Sequence, residues 1–312
     1  MATASDRALK AQVRIHTIQA GRSSFQKKPL FFFHGDRSDS PPFYCYTLSR
    51  TLGSHQPFYL VDAYDYAGEV KPLTLEELAA IYIQAIRAIQ PEGPYQLAGF
   101  CGGSYIVYEM ARQLQVQGEQ IASLIMIAPS EINRKQLFVR KSIQVLGNLF
   151  RIQQQRQQLL FLQLRQIIAY MNRRLYPADH RHNKYYPILF ARDEKIRLLF
   201  PPAQTLYHDY SGVFISLATL YRPLFQPAHC AFIWTDQGTK YRYRWKQSED
   251  RERSTILPGY YMDLLEENIQ LLAKTIKFYT ELLPNIHESS DQTLSGSPYH
   301  STLYPHSSIA PT

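Results

Sequence analysis

The run Tyr95-Gln96-Leu97-Ala98-Gly99-Phe100-Cys101-Gly102-Gly103-Ser104 decides how this chain folds. Its first four residues read as a short buried strand, introduced by Pro91-Glu92-Gly93-Pro94. From Ser104 to Val116, apolar residues recur at Ile106, Val107, Met110, Ala111 and Leu114, the spacing of one helical face. Between strand and helix, Gly99, Gly102 and Gly103 flank Cys101. A strand that turns directly into a helix needs small residues around the turn, because backbone approaches backbone there. The side chain at the turn is then held out at the sheet edge, beside a helix N-terminus. Here that side chain is a thiol.

The same alternation runs outward in both directions. Val13 to Ile18, Leu30-Phe31-Phe32-Phe33, Phe58 to Val61, Ile121 to Ile127 and Cys230 to Trp234 read as strands. Helices are expected over Tyr44 to Leu52, from near Thr74 with Glu76 and Glu77 in the first turn, and over about Asn268 to Leu283. This predicts an α/β fold with a mostly parallel sheet covered by helices on both faces. Residues 133–221 are polar and helical in pattern, an insertion between two core strands. Residues 13–283 are expected to form one domain, with 1–12 as an N-terminal extension. Residues 284–312, rich in Ser, His and Pro, are expected to be a disordered tail.

Composition narrows the function. No run of about 18 apolar residues is present, so no membrane span is expected. The first residues, Met1 to Asp6, lack the pattern of a secretory signal. Cys45, Cys101 and Cys230 are too few and too scattered for a disulfide framework or a metal cluster, which points to a reducing cytoplasm. His287, His300 and His306 read as solvated tail residues, and no metal is expected. The net charge of +8 is concentrated in the insertion, where ten cations from Arg134 to Arg181 face only Asp179. That basic surface is either a solvated helix face or a docking surface for an acidic partner or a phosphate. No nucleic-acid module accompanies it, so no nucleic-acid partner is expected.

Several segments together resemble a known family. They are Leu30-Phe31-Phe32-Phe33-His34-Gly35, Gln90-Pro91-Glu92-Gly93-Pro94-Tyr95, and Tyr108-Glu109-Met110-Ala111-Arg112-Gln113-Leu114. In this order and spacing they are similar to the thioesterase domain of nonribosomal peptide and polyketide synthesis, of the type II thioesterase kind. The resemblance implies an α/β-hydrolase fold in which the insertion is a lid. It implies an enzyme of secondary metabolism that cleaves acyl or peptidyl thioesters of a carrier protein or of CoA. It implies no cofactor beyond the phosphopantetheine arm that the partner carries. By position, Cys101 stands at the nucleophile. The N–H groups of Gly102 and Asp36 stand at the two oxyanion donors. His34 stands where the family uses a buried turn residue, not a catalytic base.

The departures from the family are specific. Ala128-Pro129-Ser130 follows the strand after which the family often places its acid. Asp236 falls near a second acid position that relatives use, and it also reads as a turn residue beside Gly238. The family histidine belongs to a Pro-Gly-x-His run, and here the run is Pro258-Gly259-Tyr260-Tyr261, with Tyr261 in the histidine's place. A thiol needs a base less than a hydroxyl does, since a helix N-terminus lowers its pKa from about 8.5. Water needs one more. Two expectations therefore stand: an acyl-capturing thioesterase-like protein working through Cys101, or a degenerate module that binds acyl groups or carrier proteins and cleaves nothing.

Overall fold

A computed structural model of the chain describes residues 12–21, 27–34, 43–130, 132, 134–175, 201–223, 229–245 and 253–284. Seven strands form one sheet: β1 (Ile15–Gln19), β2 (Leu30–Phe33), β3 (Phe58–Val61), β4 (Tyr95–Phe100), β5 (Ile121–Ile127), β6 (Cys230–Thr235) and β7 (Ser254–Leu257). Their order is β1-β3-β2-β4-β5-β6-β7. β1 runs antiparallel to β3, and every other pairing is parallel. All of the expected tail 284–312 but its first residue lies outside the described residues, as does most of the expected N-terminal extension.

Side chains of a strand alternate between its faces, so each central strand feeds two cores. Phe31, Phe33, Leu97, Leu124, Met126, Phe232 and Trp234 belong to one buried cluster. Leu30, Phe32, Ala98, Phe100, Ile125, Ile127 and Ile233 belong to the other. The first core is covered by α2 (Leu75–Arg87) and α3 (Gly103–Val116), which pack on each other. The second is covered by α1 (Phe43–Leu52) and α8 (Ile269–Leu282), likewise in contact. Thr74 caps α2 by accepting from the Glu77 N–H at 3.1 Å, while the Glu77 carboxylate accepts from the Leu73 N–H at 2.8 Å. That reciprocal pair satisfies N–H groups a helix start would otherwise leave open.

The quoted motifs have structural reasons. In the Gln90-to-Tyr95 run, Gln90 donates to the carbonyls of Glu92 and Pro94, and the Tyr95 hydroxyl donates to those of Gln90 and Pro91. Glu119 closes the loop by accepting from the Gly93 N–H at 2.9 Å and from Arg87 at 3.0 Å. The loop is thereby fixed where it feeds β4. In α3, Glu109 is fully buried and accepts from Arg112 at 2.7 and 2.8 Å, from Gln113 at 2.8 Å and from the Tyr221 hydroxyl at 2.8 Å. This ties α3 to the end of the insertion.

The insertion between β5 and β6 contains α4 (Arg134–Leu149), α5 (Gln154–Leu175), α6 (Ala203–Tyr207) and α7 (Tyr210–Ala218). Sequence pattern assigns Leu159, Leu160, Leu162, Leu164, Ile167 and Ile168 to its inner side. The structure corrects this in part. Leu162 is buried and Leu159 packs on the core, but Leu160, Leu164 and Ile168 are exposed. At about 100° per residue these six positions cannot share one face, and the three exposed ones form a stripe at i, i+4, i+8. The basic surface expected of the insertion is also corrected at one position, because Arg140 is fully buried. β7 is a strand that pattern reading misses, since Ser254-Thr255-Ile256-Leu257 is short and follows a charged stretch. Among the described residues, no helix is long and apolar enough to cross a membrane.

α3 crosses β2 so closely that a Cβ on Gly103 would lie 2.2 Å from the Phe33 carbonyl oxygen. A Cβ on Gly118 would meet nothing within 4 Å, although its φ is +85°. Gly103→Ala should therefore destabilise the fold by at least about 3 kcal/mol, through overpacking against backbone. Gly118→Ala should cost only the roughly 1–2 kcal/mol of a left-handed alanine. Denaturant unfolding of the two variants checks the order, and equal losses would contradict the close crossing. In the same assay Glu109→Ala should cost about 1–3 kcal/mol, because it removes the acceptor of the buried Tyr221 hydroxyl and the partner of the partly exposed Arg112. A loss below about 1 kcal/mol would mean that the buried network does not hold the insertion.

Candidate active site

Cys101 has φ +54°, a left-handed conformation that L side chains rarely adopt. The surroundings impose it. The Cys101 N–H donates to the Ile127 carbonyl at 2.9 Å, continuing the β4–β5 pairing by one residue. The Cys101 carbonyl then accepts from the Ser104 N–H at 3.3 Å and from the Ser130 N–H at 3.2 Å. The Ser104 hydroxyl donates to the Gly99 carbonyl at 2.7 Å, stapling the helix start to the strand end. A Cβ on Gly99 would sit 2.4 Å from the Gly103 carbonyl, so the turn closes only with glycine there. Strain of this kind concentrates at functional positions.

The insertion reaches this turn. A Cβ on Gly102 would lie 2.9 Å from the Phe214 ring, and Phe214 also meets the Tyr105 ring edge-on at 6.1 Å. α7 is thus packed over the first turn of α3. Cys101 is half-buried, whereas Cys45 and Cys230 are buried. Burial pushes the Cys45 thiol well above its ordinary range, which removes it as a nucleophile at neutral pH. Gly102 is the N-cap residue of α3, among the positions whose N–H groups a helix leaves open for an anion. Asp36, the other expected oxyanion donor, lies outside the described residues.

His34 is buried and engaged by α1. The Tyr44 hydroxyl bonds its Nδ1, and the Cys45 sulfur lies 3.9 Å from its Nε2. The remaining positions of interest follow the C-terminal ends of adjacent parallel strands. After β5, Ala128 has φ +41° and leads into Ser130. Where the family resemblance places an acid, this segment instead braces the turn: Ser130 bonds Cys101, and the Tyr105 hydroxyl donates to the Ser130 carbonyl at 3.2 Å. The Ser130 hydroxyl is buried with no partner among the described residues. In the sequence Ser130 marks only the absence of a carboxylate, and its bracing role has no signal there.

After β6, the Asp236 N–H donates to the Leu257 carbonyl at 3.0 Å, and the exposed Asp236 carboxylate accepts from the Gln237 N–H at 2.6 Å. Gly238 and Thr239 complete that turn by bonding Thr235 and Asp236. After β7, Pro258 and Gly259, at φ +90°, bring the Tyr261 ring to 6.3 Å from that of Phe100, the residue before Cys101. Tyr261 is 48% exposed. Two residues missed by pattern hold this turn. Asp263 accepts from the Tyr260 N–H at 2.7 Å, and the Asn268 side chain donates to the Pro258 carbonyl at 3.0 Å. Among the described residues, no group of three or more His, Cys, Asp or Glu side chains is placed to hold a metal ion.

Comparison with known proteins matches this architecture. A family model of the thioesterase domain matches residues 28–211. Polyketide synthase PksR of Bacillus subtilis is 39% identical over 101 residues, which are 32% of this chain and 4% of that protein. A dimodular nonribosomal peptide synthase of the same organism is 41% identical over 108 residues, 34% of this chain and 4% of that protein. The matched segments thus span only a small part of these relatives. Among solved structures, a four-domain nonribosomal peptide synthetase bound to AMP and glycine aligns with 85% of this chain and 20% of its own, at TM-score 0.51 and 22% identity, a likeness of fold. With the sheet order, the turn at Cys101 and the family match in agreement, the chain belongs to the thioesterase domain family of α/β-hydrolase fold.

Proposed function

We propose that this protein takes acyl or peptidyl groups from the thioester of a carrier protein or of CoA onto Cys101, and that it releases them slowly. The observation that carries the reading is the left-handed Cys101 at a helix start, with Tyr261 rather than a histidine against the ring of the preceding Phe100. In this reading the Cys101 thiolate attacks the thioester carbonyl carbon. The oxyanion is held by N–H groups at the start of α3. The tetrahedral adduct collapses by breaking the original C–S bond, and the departing thiolate takes up a proton. One thioester replaces another, so the step is close to isoenergetic. Hydrolysis of the acyl-cysteine then requires a base to take a proton from water. Asp236 has its carboxylate in a turn, and Tyr261 offers a hydroxyl.

The carrier is proposed on two grounds. The named relatives are a polyketide synthase and a nonribosomal peptide synthase. The outer side of the insertion presents Arg134, Lys135, Lys141, Arg151 and Arg156 to solvent, a surface suited to an acidic protein. Arg173 and Arg174, part of the same expected surface, have side chains outside the described residues. A working free thiol requires a reducing compartment, in keeping with a cytoplasmic location. The second reading, a module that binds thioesters and cleaves nothing, is favoured by the same Tyr261.

Intact-mass measurement after incubation with hexanoyl-CoA separates the two. The expected result is one hexanoyl group per chain, absent in Cys101→Ala, with free hexanoate appearing at least about 100-fold more slowly than the adduct. Saturable binding of the thioester without any adduct would establish the binding module instead. Rapid free acid with no adduct build-up would contradict slow release.

A further inference from the structure

Among the described residues of the insertion, Arg140 is the one cation that is fully buried. Arg134, Lys135 and Lys141 of α4 face solvent, but Arg140 is 0% exposed. Its Nε and Nη1 have no hydrogen-bond partner among the described residues. Burying a charge costs several kcal/mol unless it is paired, and buried polar groups are paired in the great majority of cases. Burial lowers the guanidinium to about 10, so it keeps its proton at neutral pH. Its helix offers no relief. Neither α4 nor α5 contains an acidic residue. Asp209, the sole carboxylate in the described part of the insertion, accepts from Arg165 at 3.0 Å and from the Gly212 N–H at 2.9 Å.

Arg140 sits on the inward side of α4, since Leu137 and Ile143, one turn before and after it, pack against the core. Its helix also leaves directly from the Cys101 turn. α4 starts just beyond Ser130, whose N–H bonds the Cys101 carbonyl. The path from Ser130 to Arg140 is at most about 23 Å of chain, counting the link as extended and the helix at 1.5 Å per residue. We infer that Arg140 is a buried seat for an oxyanion carried by the thioester ligand, either a carboxylate on the acyl group or the phosphate of a pantetheine arm. This rests on the reading above that the site takes thioesters. A guanidinium suits both groups, because its fork of donors matches carboxylate and phosphate oxygens.

Three probes distinguish the sources: hexanoyl-pantetheine, adipoyl-pantetheine with a terminal carboxylate, and hexanoyl-4′-phosphopantetheine. Binding is read by calorimetry in a Cys101→Ala background, so that it does not depend on acyl capture. At least one anionic probe should bind about tenfold to a hundredfold more tightly than hexanoyl-pantetheine, and Arg140→Met should erase that advantage. Preference for the adipoyl probe assigns the seat to an acyl carboxylate; preference for the phosphorylated probe assigns it to the arm. Equal binding of all three overturns the inference. Without ligand, Arg140→Met should raise the melting temperature, because an unpaired buried charge is removed. A lower melting temperature, restored by Arg140→Lys, would mean that Arg140 pairs within the chain, for instance with Asp179, Asp193 or Glu194, and would also overturn it. An anion preference in a protein whose Cys101 never acylates would sink the capture reading and leave this one standing.

Discussion

Among the described glycines the tightest approach is the crossing of α3 over β2, where a Cβ on Gly103 would come within 2.2 Å of the Phe33 carbonyl oxygen. Everything at the site follows from it. A helix that starts so near the sheet leaves no room for a gradual exit from β4, and the chain must reverse at one residue. That residue is Cys101, left-handed and held by Ile127, Ser104 and Ser130. Two cores secure the crossing, one on each face of a sheet whose central strands are buried on both sides. The fold's stability is thus invested in holding one half-buried thiol at a helix start.

Much of this was legible in the chain because it depends on local pattern. The glycines around Cys101, the run Leu30–Phe33 and the acids after Thr74 each carry a physical reason that needs no tertiary information. What was not legible depends on neighbours. β7 exists because β6 supplies its hydrogen bonds, and Ser254-Thr255-Ile256-Leu257 has too little pattern of its own. The inner side of α5 is set by what α4 and α7 press against it, so Leu160, Leu164 and Ile168 point outward despite their character. Arg140 is the sharpest case, because charge predicts a surface position and the structure buries it.

The site divides along the same line. In the proposed function, the half that would capture an acyl group is local: a turn, a thiol, a helix start. In the same reading, the half that would release it lies at the ends of three other strands, where the chain departs from the pattern that the resemblance implies. Ala128 to Ser130 braces the turn from behind, Asp236 is engaged in its own turn, and Tyr261 lies against Phe100. Changes at these distant positions need not disturb the turn, because the bonds that hold Cys101 come from Ile127, Ser104 and Ser130.

The most direct test of this account is to return the missing base. In Tyr261→His the new imidazole would replace the ring that lies against Phe100, the residue before Cys101. Release of free acid from the hexanoyl-CoA reaction, followed as single-turnover decay of the acyl-protein, should accelerate by about 10²–10⁴, the usual contribution of a general base. Acyl capture should stay within a few fold. Unchanged decay in a folded Tyr261→His protein would contradict the claim that this site is a thioesterase lacking only its base.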